Sequence, residues 1–214
     1  MQRVSVIGVT GSGKTTFAAS LSATLQVPHV ELDALHWEPN WTMAELDVFR
    51  RRVARQVLAD RWIIDGNYSK VRDLVWGRAD TVVWLDYSFA LTFARLLRRT
   101  LARIRSGEEL CNGNRERFAE QFLSRDSLLV WAITTYPTYR ATFPRFLASD
   151  ACRHLRVVRF RAPRDAQEWL GSLSEGGEAD FWCARDCSDI AHGQPAIDAG
   201  LRAGAQGLRS ATRA

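Results

Sequence analysis

Lysine is scarce in this chain: of 29 basic residues only two, Lys14 and Lys70, are lysine, and the rest are arginine. The positive surplus is a formal +5 with a pI near 9.4. It is spread along the chain instead of gathered into a basic arm. That argues against a dedicated DNA binder and suits a nucleotide or another polyanionic ligand. No apolar run is long enough to span a bilayer. The N-terminus lacks the apolar segment and small-residue cleavage site of a signal peptide. These absences predict a cytoplasmic protein without membrane contact. Cysteine is sparse too. Cys111, Cys152, Cys183 and Cys187 are scattered and read as free thiols. Cys183, Cys187 and His192 lack a fourth ligand and the usual zinc spacing. Neither the Asn-Lys-x-Asp guanine motif nor the Leu-Ser-Gly-Gly-Gln transporter signature is present, which weighs against a GTPase or a motor ATPase.

What the chain does carry is Gly8-Val9-Thr10-Gly11-Ser12-Gly13-Lys14-Thr15, which fits G-x-x-x-x-G-K-[ST] at every fixed position. Arg3-Val4-Ser5-Val6-Ile7 before it is short and β-branched, as a buried strand is. Phe17, Leu21 and Leu25 after it recur at helical spacing. A glycine-rich loop between strand and helix turns backbone N–H groups and a helix N-terminus toward phosphate. Lys14 then reaches the β- and γ-phosphates, and the Thr15 hydroxyl suits Mg²⁺. Gly8, Gly11, Ser12, Gly13 and the neighbouring Thr16 join them as nucleotide-binding candidates. One of the two lysines stands where a phosphate loop needs it.

Further along, strands and helices alternate. His29-Val30-Glu31-Leu32, Arg61 to Gly66, Thr81 to Asp86 and Leu155 to Phe160 read as strands. Thr42-Met43-Ala44-Glu45 reads as a capping box that starts a helix through Leu46, Phe49, Val53 and Val57. A helix is expected from Ser88 to about Arg105, with Arg95, Arg99 and Arg103 on one face. Pro137 and Pro144 are expected to separate later helices. From Glu175 glycine, alanine, serine and aspartate dominate, so 1–174 is read as one domain and 175–214 as a poorly ordered tail. The order of elements implies an α/β fold, a parallel sheet with helices on both faces.

Ligands of such sheets bind beyond the carboxyl ends of the strands. Asp33 there is a candidate to orient or deprotonate an acceptor hydroxyl; a turn cap is the alternative. Asp65 is a candidate for Mg²⁺ or substrate, against a turn residue before Gly66. Asp86 ends an apolar strand, as a Walker B carboxylate does. His36, Trp37, Asn67 and Tyr68 are candidates for acceptor contact or for packing. Arg95 reads as a solvated face. Arg99 and Arg103 read as phosphate contacts.

The loop, Asp33, Asp65-Gly66 and the strand ending at Asp86 resemble the adenylate kinase and shikimate kinase group of P-loop kinases. Trp62 to Tyr68, the arginine-rich helix and Gly113-Asn114-Arg115-Glu116 resemble adenylate kinase-related DNA topology modulation (FlaR-type) proteins more closely. The resemblance covers Met1 to about Leu173. It implies a P-loop three-layer sandwich with a five-stranded parallel sheet in the order 2-3-1-4-5 and a helical lid near 106–124. Arg99, Arg103 and Arg115 would then belong to the lid side. Arg125 would start the returning helix, and Arg161 and Pro163 would flank adenine. Asn67-Tyr68-Ser69 stands where adenylate kinase has Phe-Pro-Arg, which argues against AMP as acceptor.

The resulting expectation is a phosphotransferase using ATP and Mg²⁺ on an unidentified small-molecule or nucleotide acceptor. Lys14, Asp33, Arg99 and Arg103 are its catalytic candidates. The alternative is an ATP-binding regulator of DNA topology without such an acceptor. A monomer or a homodimer suits either.

Overall fold

The computed structural model describes residues 1–114 and 127–174. Its centre is a sheet of β1 (Arg3–Gly8), β2 (His29–Glu31), β5 (Trp62–Asp65), β6 (Thr81–Leu85) and β7 (Arg156–Phe160). They lie in the order β2-β5-β1-β6-β7, all parallel, which is the expected 2-3-1-4-5. Between β2 and β5 a hairpin of β3 (Trp37–Glu38) and β4 (Thr42–Met43) stands apart as its own small sheet.

Successive side chains on a strand point to opposite faces, and both faces here are apolar. Val4, Val6, Ile63, Val83, Leu85 and Val158 pack on one face with Phe17 and Leu21 of α1 (Lys14–Leu25). Trp169 of the last described helix, Pro163–Ser174, joins them and stacks on Phe17 at 6.1 Å. Ile7, Trp62, Ile64, Val82 and Trp84 face the other way. There they meet Phe49, Val53 and Val57 of α3 (Leu46–Val57), Val75 and Trp76 of α4 (Arg72–Trp76), and Phe143 and Leu147 of the helix Leu128–Leu147. The result is three layers. The continuous apolar runs of β1, β5 and β6 follow from burial on both sides.

Two local expectations fail. Thr42 pairs with Glu38 in the hairpin, so its backbone is committed to a strand. The helix α3 starts at Leu46 behind Glu45 with no side-chain cap, and the capping box does not form. Pro137 and Pro144 both lie inside the single helix Leu128–Leu147. A proline within a helix costs ~3 kcal/mol or more. Burial of Leu129, Ala132, Phe143 and Leu147 along that helix offsets the cost. The expected helix after Ser88 is α5, Phe89–Ser106. Arg115 and Arg125, most of the expected lid and the whole of 175–214 lie outside the described residues.

Candidate functional site

The phosphate loop leaves β1 and enters α1 through Gly11 and Gly13, with φ of 78° and 86°. At Gly11 a Cβ would lie 2.2 Å from the Thr92 carbonyl oxygen on α5, so no side chain fits beneath the loop. Gly13 is the N-cap of α1, and the first turn holds no acidic residue. The positive end of the helix dipole is therefore left for an outside anion. Ser12 is 1% exposed, and its hydroxyl has no partner. A buried unpaired hydroxyl in a loop of backbone N–H donors suits phosphate oxygens. Lys14 opens α1, half-buried, and Thr16 stands exposed on its first turn.

Asp65, 3% exposed at the end of β5, joins the loop directly. The Thr15 hydroxyl donates to Asp65 Oδ2 at 2.6 Å, while His29 Nε2 lies 3.2 Å from Oδ1. Next in the chain, Gly66 has φ 135° and passes so close to Leu32 that a Cβ would sit 2.8 Å from the Leu32 Cβ. Asn67 then clips onto β1. Its Oδ1 accepts from the Gly8 amide at 3.3 Å, and its Nδ2 donates to the Gly8 carbonyl. The end of β5 and the start of the loop are thus tied through Thr15–Asp65 and Gly8–Asn67.

Asp33 lies on the short helix α2 (Leu32–His36) that follows β2. The Tyr68 hydroxyl donates to Asp33 Oδ1 at 2.7 Å. Burial, then the Asp33 carboxylate, pushes the Tyr68 phenol far above its ordinary range, so it remains a donor. His36, 6% exposed, packs its ring on Tyr68, Phe49 and Trp37 at 4.5, 4.8 and 4.9 Å. Burial holds its imidazole below the usual range. Trp37 continues the aromatic wall to Trp41, 5.6 Å away.

Sequence reasoning looked to Asp86 as the third carboxylate beside the loop. The structure gives that carboxylate arginine partners. Asp86 Oδ2 accepts from Arg159 Nε at 3.0 Å and Nη2 at 2.5 Å, and Arg140 Nε lies 3.6 Å from Oδ1. Glu31 is the third member of the group around Asp33 and Asp65. Burial first, then Asp65 and Asp33, push its carboxyl above the ordinary 4.5. Glu31 drew no attention in the sequence because a strand residue carries no motif.

Three other residues were missed. Arg95, read as a solvated face, points its Nη1 at the Ser12 carbonyl, 3.4 Å away, with its guanidinium 5.7 Å from the Tyr87 ring. Arg103, on the same helix face, acts on Glu31 and on Cys111, while Arg99 is exposed. Asn112 and Asn114 fasten the β3–β4 hairpin. The Asn112 amide donates to the Ala34 and Trp37 carbonyls. Asn114, 3% exposed, accepts from the Trp41 amide at 2.7 Å and donates to Glu38 and Cys111 carbonyls at 3.0 and 2.8 Å. Arg161 and Pro163 stand at the end of β7 and the start of the helix after it.

No family model matches this chain. The Bacillus subtilis (strain 168) protein YqaC, itself uncharacterized, is 26% identical over 158 residues, which is 73% of this chain and 88% of YqaC. A shikimate kinase from Acinetobacter baumannii in complex with shikimate superposes with a TM-score of 0.49 at 15% identity, covering 82% of this chain and 94% of that one. The shikimate kinase from Bacteroides thetaiotaomicron gives 0.48 at 16%, over 81% of this chain and 97% of that one. A gluconokinase from Sinorhizobium meliloti 1021 gives 0.45 at 18%, over 82% and 94%. These are faint likenesses of fold, and no reaction follows from them.

Proposed function

We propose that the protein is an ATP-dependent phosphotransferase acting in the cytoplasm on a small hydroxyl-bearing acceptor. It would belong with the adenylate kinase and shikimate kinase group, near the topology modulation (FlaR-type) proteins. One observation carries this reading: the Thr15–Asp65 hydrogen bond joins the phosphate loop to a carboxylate, next to Asp33 and its tyrosine.

The donor would lie along Gly8 to Thr15, with loop amides and Lys14 on its phosphates. Arg95, whose Nη1 lies 3.4 Å from the Ser12 carbonyl, would meet the same phosphates from α5, with Arg99 and Arg103 further along that face. Arg115, Arg125, Arg161 and Pro163 are proposed nucleotide contacts. Mg²⁺ fits the Thr15 hydroxyl and the Asp65 carboxylate, both hard oxygen donors, and would offset charge on the β- and γ-phosphates. Asp86 would act on it through water at most, since its oxygens already meet Arg159 and Arg140.

The acceptor would sit against Asp33, His36, Trp37, Gly66, Asn67 and Tyr68. Its hydroxyl oxygen bonds to the γ-phosphorus as the bond from that phosphorus to the β–γ bridging oxygen breaks, and ADP leaves. Asp33, held by Tyr68, takes the hydroxyl proton.

The test measures ADP release by purified protein across nucleosides, nucleotides, sugars and small acids. Acceptor-dependent release, lost in Lys14→Ala, is expected. ATP turnover that ignores every acceptor would overturn the kinase reading in favour of a regulatory ATPase acting on DNA topology.

A further inference from the structure

The half-buried Asn67 follows directly on β5, and its side chain is committed to β1. In a parallel pair, alternate residues of one strand turn their backbone groups toward the other. The Gln2 and Val6 carbonyls accept from the Trp62 and Gly66 amides at 3.0 and 3.3 Å, so the even-numbered residues of this stretch face β5. Gly8 is the next in that series. By then β5 has ended at Asp65, and the chain turns away at Gly66 with φ 135°, tight against Leu32. The Asn67 side chain takes over. Its Oδ1 accepts from the Gly8 amide at 3.3 Å, and its Nδ2 donates to the Gly8 carbonyl. The carboxamide thus stands in for a peptide group and lengthens the β1–β5 ladder by one step. Aspartate lacks the donor for this, serine has a single hydroxyl, and glutamine carries its amide one methylene further out.

Gly8 is also where the phosphate loop closes on itself. A Cβ there would lie 2.6 Å from Ser12 Oγ and 3.0 Å from the Leu85 carbonyl oxygen. The Ser12 amide turns back to the Val9 carbonyl at 3.1 Å. At the other end of the motif, Thr15 is bonded to Asp65 at 2.6 Å, and His29 meets the second oxygen of that carboxylate at 3.2 Å. The stretch from Asp65 to Asn67 therefore grips both the first and the last residue of Gly8 to Thr15. A loop with both ends fixed loses less freedom when it wraps a phosphate chain.

Resting on the phosphate-loop part of the proposed function, we infer that Asn67 is a positioning residue for the nucleotide. Its carboxamide replaces a β5 peptide group and fixes Gly8, the start of the loop, in the shape that receives the phosphates. An acceptor lying against this stretch meets the backbone of Asn67, while the carboxamide serves the loop.

The experiment measures ATP affinity by calorimetry on the full chain with Mg²⁺, beside thermal melts. Asn67→Ala should weaken ATP binding by about tenfold, the effect of losing two hydrogen bonds. Asn67→Asp, close in size but without the donor, should weaken it at least as much. Val57→Ala, a cut in the buried core at the end of α3, is the control. It should lower the melting temperature and keep wild-type ATP affinity. Wild-type affinity in either Asn67 variant overturns the inference. So does an equal loss in Val57→Ala, which would assign the effect to stability alone. If the wild-type protein does not bind ATP, the phosphate-loop reading falls, and the inference with it. If it binds and Asn67→Ala binds as tightly, the inference alone falls. Proton NMR of the wild-type protein decides the matter even if both Asn67 variants fail to fold. The Asn67 Nδ2 protons should exchange with water more slowly than those of the exposed Asn40, and equal rates overturn the inference.

Discussion

At the amino end of the sheet, Asp80 accepts hydrogen bonds from the Gln2 and Arg3 amides at 2.9 and 2.8 Å and from the Thr81 hydroxyl at 2.8 Å. Burial works against its charge, but these donors hold the carboxyl below its ordinary 3.8. At the carboxyl end, Glu31 stands against two other carboxylates, and its carboxyl is pushed the opposite way. The Ser12 hydroxyl and His36 Nδ1 are buried there without hydrogen-bond partners, as Arg3 Nε and Trp62 Nε1 are at the amino end. What separates the two ends is the setting of the carboxylates: one end surrounds a carboxylate with donors that tie β1 to β6, and the other gathers carboxylates against one another.

Substitutions at the two ends should therefore separate binding from stability. The largest effect expected is that of Lys14→Ala, which should weaken ATP binding by about 100-fold or more while leaving the melting temperature nearly unchanged. Calorimetry and a thermal melt read the two halves. ATP affinity equal to wild type would sink the phosphate-loop assignment.

Next comes Asp80→Asn, the mirror image. Loss of charge-assisted bonds to the start of β1 should cost about 1–2 kcal/mol, with ATP affinity kept. A native carboxyl held below its unfolded value contributes stability above that value and loses it as pH falls through the native pKa. The gap between wild type and variant should thus be full at pH 7 and close below about pH 3.8, the ordinary value. A gap that is constant with pH would mean the carboxylate charge does not matter.

Tyr68→Phe should lower kcat by roughly tenfold, because Asp33 loses the bond that orients it, with little change in ATP affinity. An unchanged kcat would remove Tyr68 from the site. The smallest effect is that of Glu31→Gln on stability. A carboxyl raised above its unfolded value favours the fold below that value and loses this as pH rises through the native pKa. The variant should therefore melt higher at pH 7, by on the order of 1 °C, and no higher below pH 4.5, the ordinary value. A lower melting point at pH 7 would show that Glu31 is held by partners and not strained.

The sequence was most readable where local structure rests on neighbours in the chain. Gly8 to Thr15 is eight consecutive residues, and Asp33 and Asp65 were legible because they end or follow strands. Tertiary partners were not legible. The expected role of Asp86 met Arg159, 73 positions away. The hairpin at Trp37 to Met43 took Thr42 from its capping box, and its fastening to Asn114 spans 73 positions. Arg95 reads as surface along its helix and touches the loop only because α5 crosses beneath Gly11.

By itself, the sequence determined the layers and the glycine-rich loop between β1 and α1. Hydrophobic period and glycine placement act locally and need no partner to be read. The tertiary structure alone decided which carboxylates gather beside the loop and which arginines among the described residues are paired with them. Those outcomes depend on distances between groups far apart in the chain, and electrostatic energy in a half-buried setting follows distance and not sequence.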